Sequence, residues 1–231
     1  MKKVILILAL LLTYKIVSSQ PSNLGVYFSL NNNYRILSSD FSYLDSYDKK
    51  VNLFNCGISY EKKLFTRFSL ITGIDYSIDG YIRTQFVLPY SINQRLNYLG
   101  IPLELNYKII DLRKIMIRLH FGVNFKTLIV AKYIPENIKL PPYSSGLGGY
   151  YVPKPETQTF TWNSLSKQGY SIFNMNLLGG IGFCYKFKNL SFDVSPEYKY
   201  SLLPTTKDNT YFHTHNERLY SYGIRLTLIK N

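Results

Sequence analysis

Acidic residues, histidine, cysteine and tryptophan are all scarce in this 231-residue chain: 14 Asp plus Glu, 3 His, 2 Cys and 1 Trp. Two of the histidines, His213 and His215, stand together, but no third His and no Cys is close to them. Two ligands make a weak metal site, so a solvated loop explains the pair better and no metal is expected. No serine sits in a nucleophile-elbow setting, and no nucleophile, base and orienting group converge in the pattern. Neither catalysis nor a cofactor is therefore expected. Beyond its first dozen residues the chain has no uncharged apolar run of the roughly 20 residues that a helical span requires. Against the few acids stand 27 Lys plus Arg, for a formal charge of +13, three of which come from Lys2, Lys3 and Lys15. A basic balance can signal nucleic acid, but no basic helix or recognition motif accompanies it here. The cations are spread over turns and strand ends instead, where they can meet anionic lipid headgroups.

The amino terminus has the form of an export signal. Met1-Lys2-Lys3 is a short basic head, Val4 to Leu12 an apolar run, and Val17-Ser18-Ser19 an acceptable cleavage site. Residues 1–19 are expected to be removed, leaving one domain over 20–231. The apolar run is too short to span a bilayer as a helix, and Tyr14 and Lys15 interrupt its end.

What the chain does have is alternation. From about Leu24 onward, stretches of some ten residues carry an apolar side chain at every second position. In the last of them Tyr220, Tyr222, Ile224, Leu226 and Leu228 share one face, and Ser221, Gly223, Arg225 and Thr227 the other. A period of two places alternate residues on opposite faces of a strand. Eight such strands are expected, near Leu24–Asn32, Val51–Tyr60, Phe68–Asp79, Leu96–Ile109, Lys114–Leu128, Tyr170–Phe187, Leu190–Leu202 and Leu219–Ile229. Glu61–Arg67, Ile110–Arg113 and Lys186–Asn189 read as tight turns. The links near Asn33–Lys50, Gly80–Arg95, Ile129–Gly169 and Leu203–Arg218 read as long loops. Short turns at one end and long loops at the other are the habit of outer-membrane barrels. The 22 Tyr and 14 Phe suit interfacial girdles, where a ring sits in lipid and a hydroxyl in water. The expected fold is all-β: an eight-stranded, antiparallel, up-and-down transmembrane β-barrel of the outer-membrane type, with outer-membrane lipid as its surroundings.

A soluble lipocalin-type barrel is the rival, because alternation alone does not say which face is inside. The polar face carries Gly57, Gly73, Gly100, Gly122, Gly180, Gly182 and Gly223. Such a face suits a crowded small lumen better than a wetted wall. Cys56 and Cys184 are both assigned to the apolar face, on opposite walls, and are expected as two free thiols in lipid.

With that sidedness the lumen holds Glu61, Asp75, Glu104, Lys108, Arg118, His120, Lys126, Asp193, Glu197, Lys199 and Arg225. A turn centred near Asp111 would place Glu104 opposite Arg118. An eight-stranded barrel is just wide enough for its own side chains, so Glu104, Arg118, Glu197, Lys199 and Arg225 are expected to form an ionic plug, with a gated pore or proton path as the other reading. The third long link, about Lys132 to Lys167, is rich in Pro and Gly and carries Tyr143, Tyr150, Tyr151 and Trp162. These rings can present a contact surface to a partner or fold over the barrel mouth as a lid.

The fourth strand, Tyr98-Leu99-Gly100-Ile101-Pro102-Leu103-Glu104-Leu105-Asn106-Tyr107, resembles the Y-L-x-I-P-L-x-x-x-Y segment of the PorT-like outer-membrane β-barrel family of Gram-negative envelopes. Leu178-Gly179-Gly180-Ile181-Gly182-Phe183-Cys184-Tyr185 and Ser195-Pro196-Glu197-Tyr198-Lys199-Tyr200-Ser201-Leu202 are similar to two further strands of that family. The resemblance implies a barrel with an envelope role, no catalytic residues, and partners among envelope or secretion-system proteins. Two functions follow: a structural or scaffolding barrel with external loops as contact surfaces, or a narrow channel for small solutes.

Overall fold

Alternating apolar and polar side chains are satisfied along a whole chain when the strands curl into a ring that hides one face. The computed structural model describes residues 22–36, 48–84, 90–137, 156–165, 169–206 and 217–230. Its strands are β1 (Ser22–Ile36), β2 (Asp48–Lys49), β3 (Val51–Lys63), β4 (Phe68–Thr84), β5 (Tyr90–Asp111), β6 (Ile115–Asn137), β7 (Gln158–Thr161), β8 (Phe173–Lys186), β9 (Leu190–Ser201) and β10 (Arg218–Lys230). A single helical turn, α1 (Trp162–Leu165), follows β7. Eight of the strands form a closed antiparallel barrel in the order β1, β3, β4, β5, β6, β8, β9, β10. The ring closes where β1 meets β10 in unbroken register from Leu24↔Lys230 to Ile36↔Arg218. Strand β2 continues the line of β3 against β4, and β7 takes over beside β6 where β8 ends.

The eight expected strands are all present, and most are longer than the alternation suggests. β5 and β6 have 22 and 23 residues, about twice the 9–11 that cross a bilayer. The expected long link over Gly80–Arg95 is therefore largely strand, and only residues 85–89 join β4 to β5. In the overhang burial no longer alternates, with residues 79–81 and 91–94 buried in runs, so hydrophobic period alone does not reveal it.

Sidedness follows the expected pattern. Leu226, Phe121 and Leu177 stand exposed on the outer wall, while Arg118 and Glu197 are buried inside. Pro102 points inward, and pairing of β4 with β5 lapses beside it, between Leu103 and Gly100. Pro196 coincides with a similar lapse between β8 and β9. A proline has no N–H to give to a ladder, so each gap sits where a donor is missing.

One assignment is corrected. Both cysteines are free, but only Cys56 lies on the outer wall. Cys184 is 2% exposed and shares inward parity with Asn174, Asn176, Leu178 and Gly182. Its neighbours Phe183 and Tyr185 are the outward residues, and a period of two cannot place three consecutive residues on one face. In the folded, detergent-solubilised protein, a maleimide should label Cys56 and leave Cys184 unmodified, with both reacting after thermal unfolding. Equal labelling before unfolding, or a disulfide-linked product, would contradict this geometry.

Candidate functional site: an ion-paired lumen under an aromatic cap

The interior is a polar column built around ion pairs. Among the described residues, five inward cations (Arg35, Arg118, Lys126, Lys199 and Arg225) stand against seven inward anions (Glu61, Asp75, Asp79, Glu104, Asp193, Glu197 and Glu217), while Lys62, also buried, lies on the outward parity of β3. Buried charges persist only when paired and further hydrogen-bonded.

The pairs are stacked along the barrel axis. Nearest the short turns, the Arg118 guanidinium donates to Asp193 through Nε at 2.9 Å and reaches Glu61 at 3.4 Å. Ser69 and Asn106 donate to the same Glu61 oxygen, at 2.5 and 3.1 Å, and Ser195 donates to Asp193. Further in, Arg225 holds Glu104 with two parallel bonds of 2.8 and 2.9 Å. This fork is the strongest form of carboxylate pairing available to a side chain. Arg225 Nε also lies 3.6 Å from Glu197, whose other oxygen is 2.7 Å from Lys199 Nζ. Above these, Asn124 donates to Asp75 at 2.7 Å and Lys126 to Asp79 at 2.9 Å. Glycines make room for the long side chains. A Cβ on Gly100 would fall 2.0 Å from Asp75 Oδ1, and one on Gly182 would meet both Asp193 and Arg118 within 2.8 Å.

The five ionic residues singled out in the sequence therefore do lie in the lumen, but the expected Glu104–Arg118 pairing is wrong. Glu104 sits across from Gly122, and Arg118 across from Lys108. The β5–β6 turn is centred near Arg113 rather than Asp111, with a register shift between Lys108 and Ile110. A two-residue displacement of the centre moves every facing residue by four, and Arg225 from β10 takes Glu104 instead. Lys108 is only half-buried at the rim, 3.6 Å from Asp111, which also pairs with Lys186. His120 is buried among the ions, with no protein partner for either ring nitrogen among the described residues. No group of three His, Cys, Asp or Glu there is placed to hold a metal.

At the long-loop end the column changes character. Tyr81, Leu96, Tyr98, Leu128, Leu165, Tyr170 and Leu219 form a buried apolar cluster, with Phe160 packed against it. Leu165 comes from the third long link, and Tyr170, expected to open the sixth strand, precedes β8 instead; both are buried in the mouth. Gly169, at φ 80°, lets the chain reverse between them. Tyr170 bridges to Thr206, and Ser171 N–H donates to Thr205 C=O at 2.9 Å, so the third and fourth links are tied together. Beneath them Arg35, 2.9 Å from Glu217, lies over the Tyr81 ring at 4.6 Å, while the Tyr81 hydroxyl donates to Glu217 at 2.8 Å. This Arg35–Glu217–Tyr81 cluster escapes the alternation because Arg35 and Glu217 lie outside the expected strand limits. Trp162 opens α1 and is exposed; Tyr143, Tyr150, Tyr151, His213 and His215 lie outside the described residues.

A closed eight-stranded barrel with a polar, paired interior and an apolar outer wall is the geometry of a membrane barrel, and comparison of sequences agrees. A family model described as "Outer membrane protein beta-barrel domain" matches residues 17–207. The chain belongs to this family. No curated protein matches it. Among solved structures, similar folds include Neisserial surface protein A (14% identity, 89% of this chain and 95% of that one, TM-score 0.45). OprG from Pseudomonas aeruginosa (11%, 91% and 96%, TM-score 0.42) and the outer membrane protease OmpT from Escherichia coli (8%, 90% and 96%, TM-score 0.42) are others. At such identities the likeness is one of fold alone. In barrels of this type short turns face the periplasm and long loops the exterior.

Replacing Arg225 with Met should destabilise the family barrel by about 3–5 kcal/mol, the usual result of stranding a buried partner. The double change Arg225→Met with Glu104→Leu should recover most of that loss. Urea unfolding in lipid vesicles measures both, and a double variant no more stable than the single one would sink the pairing.

Proposed function

We propose that this outer-membrane barrel is a closed, non-enzymatic scaffold whose external loops form contact surfaces for envelope or secretion-system proteins. In this reading residues 1–19 direct export and are removed. The observation that carries it is double obstruction of the lumen: three stacked tiers of ion pairs below and an apolar cap above. A lumenal cavity lined by Tyr27, Glu61, Glu104, Arg118 and Arg225 measures about 10 Å³, room for about one water. That favours a plug over the alternative narrow channel, which needs a continuous aqueous path. The secretion-related part of the reading rests on the resemblance of residues 98–107 in β5 to the PorT-like segment. The loop that enters the mouth through Leu165 and Tyr170 also carries Tyr143, Tyr150, Tyr151 and Trp162, the rings proposed to meet a partner.

Purified protein in planar bilayers should give no resolved single-channel openings, and discrete steps from the wild-type chain would replace the scaffold with the channel. Deletion of residues 138–155, which leaves β6 and β7 intact, should abolish recovery of cross-linked envelope partners. An unchanged set of partners after deletion would remove the loop from the proposal.

A further inference from the structure

Where β9, β10, β1 and β3 lie side by side, a strip of the outer wall is not uniformly apolar. Phe28, Leu30, Val194, Pro196, Ile224 and Leu226 line an open groove of about 880 Å³, within the roughly 300–1,000 Å³ of small-molecule sites. Toward the exterior the outward positions change to Asn32 and Asn52, direct cross-strand neighbours, with Tyr222 flanking Asn32 on its other side. One step higher, Tyr34 stacks on Tyr220 with centroids 4.7 Å apart, and its hydroxyl lies 2.9 Å from that of Tyr222. At the rim Lys50 Nζ stands 5.5 Å from the Tyr34 ring, and Arg218 donates to the Tyr200 hydroxyl at 3.3 Å.

The order along the wall is thus hydrocarbon, carboxamide, aromatic face, cation. A phosphorylated glycolipid has the same order: acyl chains, ester or amide linkages, sugar rings, phosphates. We propose that this strip binds a phosphorylated glycolipid of the outer leaflet, with its chains in the groove, its linkages at Asn32 and Asn52, a sugar against the tyrosines and its phosphates at Lys50 and Arg218. Two asparagines on a lipid-facing wall are costly unless a polar partner meets them at that depth. A phospholipid can supply acyl chains and one phosphate, but no sugar ring for the Tyr34–Tyr220 stack. The inference rests on the membrane placement of the wall, and it stands or falls independently of conductance or loop partners.

Native mass spectrometry of the full-length protein in detergent tests it, with three probes: bis-phosphorylated lipid A, the same lipid A stripped of phosphate, and phosphatidylglycerol. Lipid A should bind at least about tenfold more tightly than either other probe. The double variant Lys50→Glu with Arg218→Glu should weaken lipid A binding by about tenfold or more, while Lys63→Glu with Arg67→Glu at the opposite rim leaves it unchanged. Equal affinity for phosphatidylglycerol would mean a general anionic-lipid surface and overturn the proposal. Equal affinity for dephosphorylated lipid A would reduce the strip to an apolar groove and overturn it as well. The probe comparison on wild-type protein decides the matter even if the charge-reversed variant fails to fold.

Discussion

Inside a bilayer no water is available to the backbone, so every N–H and C=O must find a partner within the protein. For a chain of strands this demands closure, and the seam between β1 and β10 provides it along β1 from Leu24 to Ile36. An open edge here would leave a row of unpaired groups in hydrocarbon. The exceptions are instructive: ladder pairing lapses beside Pro102 and Pro196, where proline itself removes the donor. Closure then fixes the rest. Once the ring is shut, outward residues have only lipid to meet, and inward residues must fill a narrow column with one another.

That column explains why so many ions are tolerated inside. Charges taken out of water are costly one by one, yet each of the five lumenal cations stands within salt-bridge distance of a carboxylate. The Arg225–Glu104 fork sits at its middle, joining β10 to β5 across the lumen, and Arg118–Asp193 joins β6 to β9. These links connect strands that do not share a ladder, so they brace the barrel against collapse or shear. The net positive charge of the chain therefore resides on its rims and loops, where headgroups and solvent receive it.

The upper third of the molecule obeys different physics. Strands β5 and β6 rise beyond bilayer thickness, and their inward residues turn from ionic to apolar: Leu96, Tyr98, Leu128, Ala131. A wall standing in water needs an ordinary hydrophobic core, and Leu165 and Tyr170 complete it from above. The barrel is thus a membrane protein below and a small water-soluble one on top, with the Arg35–Glu217–Tyr81 cluster at the junction.

Periodicity alone was enough to establish eight strands, their alternating sidedness and the ionic character of the lumen, because a strand's two faces are written into every second residue. Leu226 outside and Arg225 inside could be read without coordinates. Strand ends in the overhang could not, since Gln94 or Arg83 carries no hydrophobic contrast. Nor could pairing: which cation takes Glu104 depends on register, and a turn centre moved from Asp111 to Arg113 transfers the partner from β6 to β10. Cys184 needed only strict counting by two. The cap needed tertiary structure, because Leu165 lies in a link with no period and Tyr170, expected to open the sixth strand, falls short of β8, and only the open mouth of the folded barrel makes their burial favourable.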